Sequence, residues 1–223
     1  MSFFLRLRQA TEVERQALFC VPQIVDGLHG RINREAYIAY LAQAYHHVRH
    51  TVPLMRLARS RMKPGYSGLA AALDTYIEEE MGHEAWILHD IAASGGHASN
   101  VAVSAPNAAT SAMVRHAYRA VGQGNPLALF GMIFVLEDTS AAIASRGAAG
   151  LAASLGLGPE CFTYLSSHGE LDQEHLQHFT QLTEQIQDPD DQADIIDMAR
   201  QIYRLFADLF RSIPHEQGLA HAN

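Results

Sequence analysis

Cysteine is nearly absent from this chain. Cys20 and Cys161 are its two thiols in 223 residues, and they lie far apart. That excludes a disulfide framework and a thiolate-rich zinc site, and reads as two buried small hydrophobes in a reducing cytosol. Basic charge is also scarce. Sixteen Lys and Arg against 24 Asp and Glu leave a net charge of −8, and only Arg56, Arg59, Arg61 and Lys63 stand together, so no nucleic-acid partner is expected. No stretch is expected to reach the ~20 apolar residues of a membrane span. Arg6 and Arg8 break the apolar N-terminus early, and the chain reads as soluble, unprocessed and cytoplasmic. Strand-like alternation, internal repeats, low-complexity tracts and composition shifts are all missing, which excludes a sheet and marks no domain boundary.

What remains is an all-α protein. With 48% hydrophobic and 18% charged residues, residues 1–223 are expected to form one helical domain of about seven to eight helices. Thr11-Glu12-Val13-Glu14 has the spacing of a capping box for a first helix. Asn33 caps a long segment ending near Met62, which Pro53 should kink or split just after His46, His47 and His50. Ser67 opens a helix expected to run through Glu80 and His83 to Ala93, stopping at Ser94-Gly95-Gly96. A helix from about Ala109 to Val121 follows. Asn125-Pro126 opens the next, with an end or bend expected at Gly147 and Gly150. Gly158-Pro159-Glu160 precedes a helix through His168. Asp188-Pro189 caps the last, whose core stripe is Ile195, Met198, Ile202, Phe206 and Leu209.

Histidine is in excess, at thirteen residues, and its placement points to metal chemistry. His168, Asp172 and His175 stand at i, i+4 and i+7, so at ~100° per residue their side chains fall within roughly 60° on one helix face. Upstream lie Glu80-Met81-Gly82-His83 and Glu137, the latter preceded by the apolar run Ala128–Leu136. Glu79, one turn before His83, is an alternative to Glu80. Burying such carboxylates costs several kcal/mol per unpaired charge. No Lys or Arg lies within a turn of them, which makes a divalent cation the natural partner. Imidazole with carboxylate suits iron or manganese better than a structural zinc.

The order E-x-x-H, then Glu137 in Leu136-Glu137-Asp138-Thr139-Ser140, then H-x-x-x-D-x-x-H resembles the heme-oxygenase-like diiron oxidases over nearly the whole chain. The resemblance implies a heme-oxygenase-like bundle in which Glu80, His83, Glu137, His168, Asp172 and His175 hold two Fe(II) ions, with manganese as the other metal to consider and Glu137 as a bridge. It further implies activation of O2 to oxidise a small molecule of fatty-acid or amino-acid type, an external electron donor, and an assembly that can extend to a homodimer. Tyr45, His46, Arg49, His50, Trp86 and Phe134 are the residues nominated to line a substrate pocket or support the ligands, Arg49 as an anion binder. Gly169 within the ligand helix suggests a segment that is loose without metal. Three other functions compete. They are a heme oxygenase with His29 as axial ligand, a metal-free enzyme of thiaminase or quinone-synthase type, and a non-enzymatic metal-binding or interaction protein.

Overall fold

The computed structural model describes residues 1–215, apart from the side chains at 170, 173 and 174, and among them every regular element is helical. In chain order the α-helices are α1 (Phe3–Phe19), α2 (Pro22–Leu28), α3 (Arg34–Val48), α4 (Thr51–Arg61), α5 (Ser67–Glu80), α6 (His83–Ala93), α7 (Ala98–Val103), α8 (Ala108–Gln123), α9 (Leu129–Leu155), α10 (Thr163–Thr183) and α11 (Pro189–Arg211). The count exceeds seven or eight because the long segments are broken. Arg49 and His50 separate α3 from α4, with Pro53 in the first turn of α4, where its missing N–H costs little. Gly82, at φ +92°, separates α5 from α6 in a conformation that a side chain disfavours.

Asn33, Asn107 and Asp188 cap α3, α8 and α11 by accepting backbone N–H groups. Thr11 does not cap α1. Ser2 does that, accepting from Leu5 N, and Thr11 is buried in mid-helix, donating to the Leu7 carbonyl at 2.9 Å. Nor does α9 stop at Gly147 or Gly150. It runs to Gly156, which takes the left-handed cap at φ +62°. Gly150 instead lets α2 approach, since a Cβ there would stand 3.0 Å from the Leu28 carbonyl.

α9 is the central element. Its first half, Leu129 to Val135, belongs to a core built with α1, α8 and α11, and its second half, Ala144 to Leu151, to a core built with α3 and α6. Gly131 sits so close to the backbone at Ile195 that a Cβ would strike it. Contrary to the expectation that no stretch is long and apolar enough, Pro126–Leu155 could cross a membrane by length and composition, with mean hydropathy 1.7; 72% of that window is buried inside the bundle, as in a core helix. The stripe on α11 is buried at all five expected positions. Of the two thiols, Cys161 is buried as expected and Cys20 is exposed at the end of α1.

Candidate metal centre and cavity

Four helices bring the six carboxylate and imidazole residues together in two groups. Glu80, His83 and His168 form one, Glu137, Asp172 and His175 the other, and within each group the ligand atoms lie within 4.8 Å of one another. The spacing on α10 does what helical geometry requires, delivering His168 to the first group and Asp172 and His175 to the second. Gly169, beside His168, permits that closeness: its Cβ would stand 2.9 Å from the Ser145 amide nitrogen of α9. The E-x-x-H pair does not share one helix. Glu80 ends α5 and His83 begins α6, and the turn at Gly82 leaves His83 Nδ1 3.1 Å from Glu80 Oε2. Glu79 lies outside both groups, half exposed, with Oε2 3.3 Å from His175 Nε2.

The rings are held from behind. His168 Nδ1 lies 3.2 Å from the Tyr164 carbonyl, which accepts its proton and leaves Nε2 with a free lone pair. Trp86 stacks on His83 at 4.0 Å between centroids. Asp90, fully buried on α6, accepts the Tyr164 amide at 2.8 Å and so caps α10 from another helix. This anchor for the ligand helix carries no sequence signal, because an Asp in His89-Asp90-Ile91 looks like an ordinary surface position.

Electrostatically the second group is unfinished. Glu137 is 6% exposed, its Oε2 has no hydrogen-bond partner, and burial, then the nearby Asp172 carboxylate, hold its pKa well above the ordinary value. His175 Nδ1 lies 3.4 Å from Asp172 Oδ1 and 3.8 Å from Glu137 Oε1 without hydrogen-bond geometry to either. The Asp172 carboxylate raises the His175 pKa against the effect of burial. Burial pushes Glu80 up, but its bond to His83 and the charge of His168 together hold it below its usual value. Burial likewise lowers His168, against Asp172 and Glu80. The Tyr76 hydroxyl, buried beside Glu137, has its pKa raised by burial and by the Glu137 carboxylate. Among the described residues no lysine or arginine pairs with Glu80, Glu137 or Asp172; their ion pairs are all with histidine. Two clusters of hard carboxylate oxygen and imidazole nitrogen, with no lysine or arginine paired to their carboxylates among the described residues, fit a pair of divalent ions.

Glu80, Glu137, His168 and Asp172 also form part of the wall of a cavity with about 1230 Å³ of empty space, including its opening to solvent. The residues nominated from sequence to line it face elsewhere. Tyr45 stacks edge-on with His46 and carries the Arg49 guanidinium over its ring, His46 bonds Ser104, and His50 bonds Tyr118. Phe134 packs among Phe4, Phe179 and Tyr203, and Trp86 stays behind His83. The cavity instead takes His47 from that histidine cluster, its pKa pushed down to about 3 by burial and by His168. His29 lies outside the lining, exposed, with Nδ1 donating to the Val25 carbonyl. An axial heme ligand is thus not delivered to this cavity by His29.

The sequence model of a family described as iron-containing redox enzymes matches residues 38–207. No curated protein matches. Among solved structures, a domain of unknown function with a heme oxygenase-like fold from Shewanella denitrificans OS217 is 20% identical, with a TM-score of 0.85 over 96% of this chain and 92% of that one. A TenA homologue from Pseudomonas syringae pv. tomato is 11% identical, with 0.80 over 94% and 91%. Heme oxygenase from Leptospira interrogans is 16% identical, with 0.76 over 94% and 98%. At these identities the likeness establishes the heme oxygenase-like fold and nothing of the reaction.

Proposed function

This chain belongs to the iron-containing redox enzyme family, and from that premise we propose that its two ligand groups hold two iron ions at which dioxygen oxidises a small organic substrate in the adjoining cavity. One observation carries the reading: six buried or half-buried candidate ligands converge in two groups, and the buried Glu137 carboxylate has an oxygen with no hydrogen-bond partner. Glu80, His83 and His168 would hold one ion and Glu137, Asp172 and His175 the other. Iron bound there supplies the redox and dioxygen chemistry that side chains lack.

The protein's own part is positioning, charge and exclusion of water. The Tyr164 carbonyl fixes the tautomer of His168 and the Trp86 face fixes the plane of His83. Burial and Asp172 favour the protonated form of Glu137, a preference that a bound cation would reverse by favouring the carboxylate. The apolar wall, with Ile133, Leu136, Ile143 and Leu165, holds the carbon body of a substrate and keeps bulk water from the reacting end. Dioxygen and reducing electrons come from outside the chain. A thiol-based reaction lacks a nucleophile here, since neither Cys20 nor Cys161 lines the cavity.

An oxygen electrode tests this. Protein loaded anaerobically with Fe(II) is expected to consume O2 at least tenfold faster than the same Fe(II) in buffer, with Asp172→Ala and His175→Ala falling to the buffer rate. The same loading with Mn(II) shows whether the site is selective. A parent protein no faster than buffer refutes the reading.

A further inference from the structure

Beyond the six ligands, the cavity wall carries a second set of polar atoms with nothing to bond. His47 Nδ1, Thr139 Oγ1, Ser140 Oγ and Gln23 Oε1 are each buried without a hydrogen-bond partner, and all four residues line this one cavity. Native interiors leave few polar atoms unpaired, because each forfeits its hydration. The four residues border one space, so a change of side-chain rotamer brings these atoms to an occupant that supplies the partners.

The wall also lacks positive charge. No lysine or arginine contributes to it, and its carboxylates are those of the ligand groups. Arg49, nominated to bind a substrate anion, lies with its guanidinium 5.3 Å from the Tyr45 ring centroid and outside the lining. Away from the two ligand groups, an anionic head group near His47 would therefore be buried without a side-chain counter-charge. Most of the remaining surface, with Ile24, Met55, Leu151 and Phe206, is apolar, and Thr51, Tyr40 and Tyr164 add uncharged hydroxyl-bearing side chains to it.

We propose that the occupant is an uncharged amphiphile: an apolar body bearing one hydroxyl, carbonyl or amide group that hydrogen-bonds to His47, Thr139 and Ser140. The two hydroxyls donate and accept, and the imidazole does one or the other by tautomer, so a neutral group with both capacities satisfies all three. This assignment rests on the cavity being the substrate site of the reading above, and it replaces the acid-type substrates that the sequence resemblance implies.

Calorimetric titration of the metal-free protein with octanol, octanamide and octanoate tests it without iron. Octanol and octanamide are expected to bind, and Ser140→Ala and His47→Phe to weaken both at least fivefold while leaving octanoate unchanged. Because the ligand carboxylates repel octanoate in the metal-free state, the three probes are compared again with Zn(II) bound. There the neutral pair is expected to keep a roughly tenfold lead. The proposal is overturned if no neutral probe binds, if the variants weaken neither neutral probe, if they weaken all three probes alike, or if octanoate overtakes the neutral probes once Zn(II) is present. Failure of Zn(II) or Fe(II) to bind would count against the metal centre and leave the metal-free titration standing, so the two readings fail separately.

Discussion

Replacing Glu137 by glutamine should stabilise the metal-free protein while removing a ligand. Glu137 is buried, with one oxygen unpaired and the Asp172 carboxylate nearby. A buried unsatisfied polar group costs about 1–3 kcal/mol, more when charged. Glutamine keeps the shape and an amide's polarity, so the part relieved is that of the charge, about 1–2 kcal/mol. In a chain of this size 1 kcal/mol moves Tm by roughly 2–4 °C, which gives a gain of about 2–8 °C near pH 8.

The pH dependence identifies the cause. Burial, then Asp172, place the folded pKa of Glu137 above the unfolded value near 4.3. Between those two pKa values the native state binds more protons than the unfolded one, so the parent's stability falls as pH rises through that interval. Glutamine has no such term, and the gain should vanish near pH 4. Scanning calorimetry in the presence of a chelator, from about pH 5 to about pH 8, measures the difference directly. With Fe(II) in excess the order should reverse, because the cation binds the native parent and stabilises it by mass action. A metal-free glutamine variant that is less stable than the parent at high pH, or a gain independent of pH, would refute the electrostatic account.

Three structural perturbations test how the site is held. Asp90→Ala removes the cap on the Tyr164 amide and should cost about 1–2 kcal/mol, with Asp90→Asn retaining most of it by thermal melting. Asp138→Ala strips Arg15 and Tyr203 of their shared partner, at 2.6 and 2.9 Å. It should cost about 2–3 kcal/mol, below the value for a fully buried pair because Arg15 is partly exposed. Gly131→Ala drives a methyl into the α11 backbone at Ile195 and should lower Tm by several degrees, about 1–3 kcal/mol of overpacking, without changing the metal content of the protein that remains folded.

The grouping of the candidate ligands was legible in the sequence because helical periodicity constrains them. His168, Asp172 and His175 share a face wherever that stretch is helical, and Glu137 stands out as the charge after a long apolar run. The pocket lining was not legible for the same reason in reverse. His46, His47 and His50 sit on or beside one helix, and which of them meets the cavity depends on how α3 is rotated against its neighbours, a tertiary fact that put His47 inside and turned His46 to Ser104 and His50 to Tyr118. Gly82 hid a break within E-x-x-H, since the spacing is equally consistent with one helix or two. Thr11-Glu12-Val13-Glu14 shows the opposite error: a capping pattern in mid-helix, where the threonine hydroxyl bonds the preceding turn instead. Gly169 and Gly150 read as weak points in sequence, yet both sit where helices pack closely.

Metal counting on single-group variants addresses the two-ion centre most directly. After anaerobic Fe(II) loading and gel filtration, the parent is expected to carry about two irons per chain, His83→Ala about one and His175→Ala about one, each variant keeping the ion of the untouched group. A parent that retains no iron, or variants that retain as much as the parent, would contradict it.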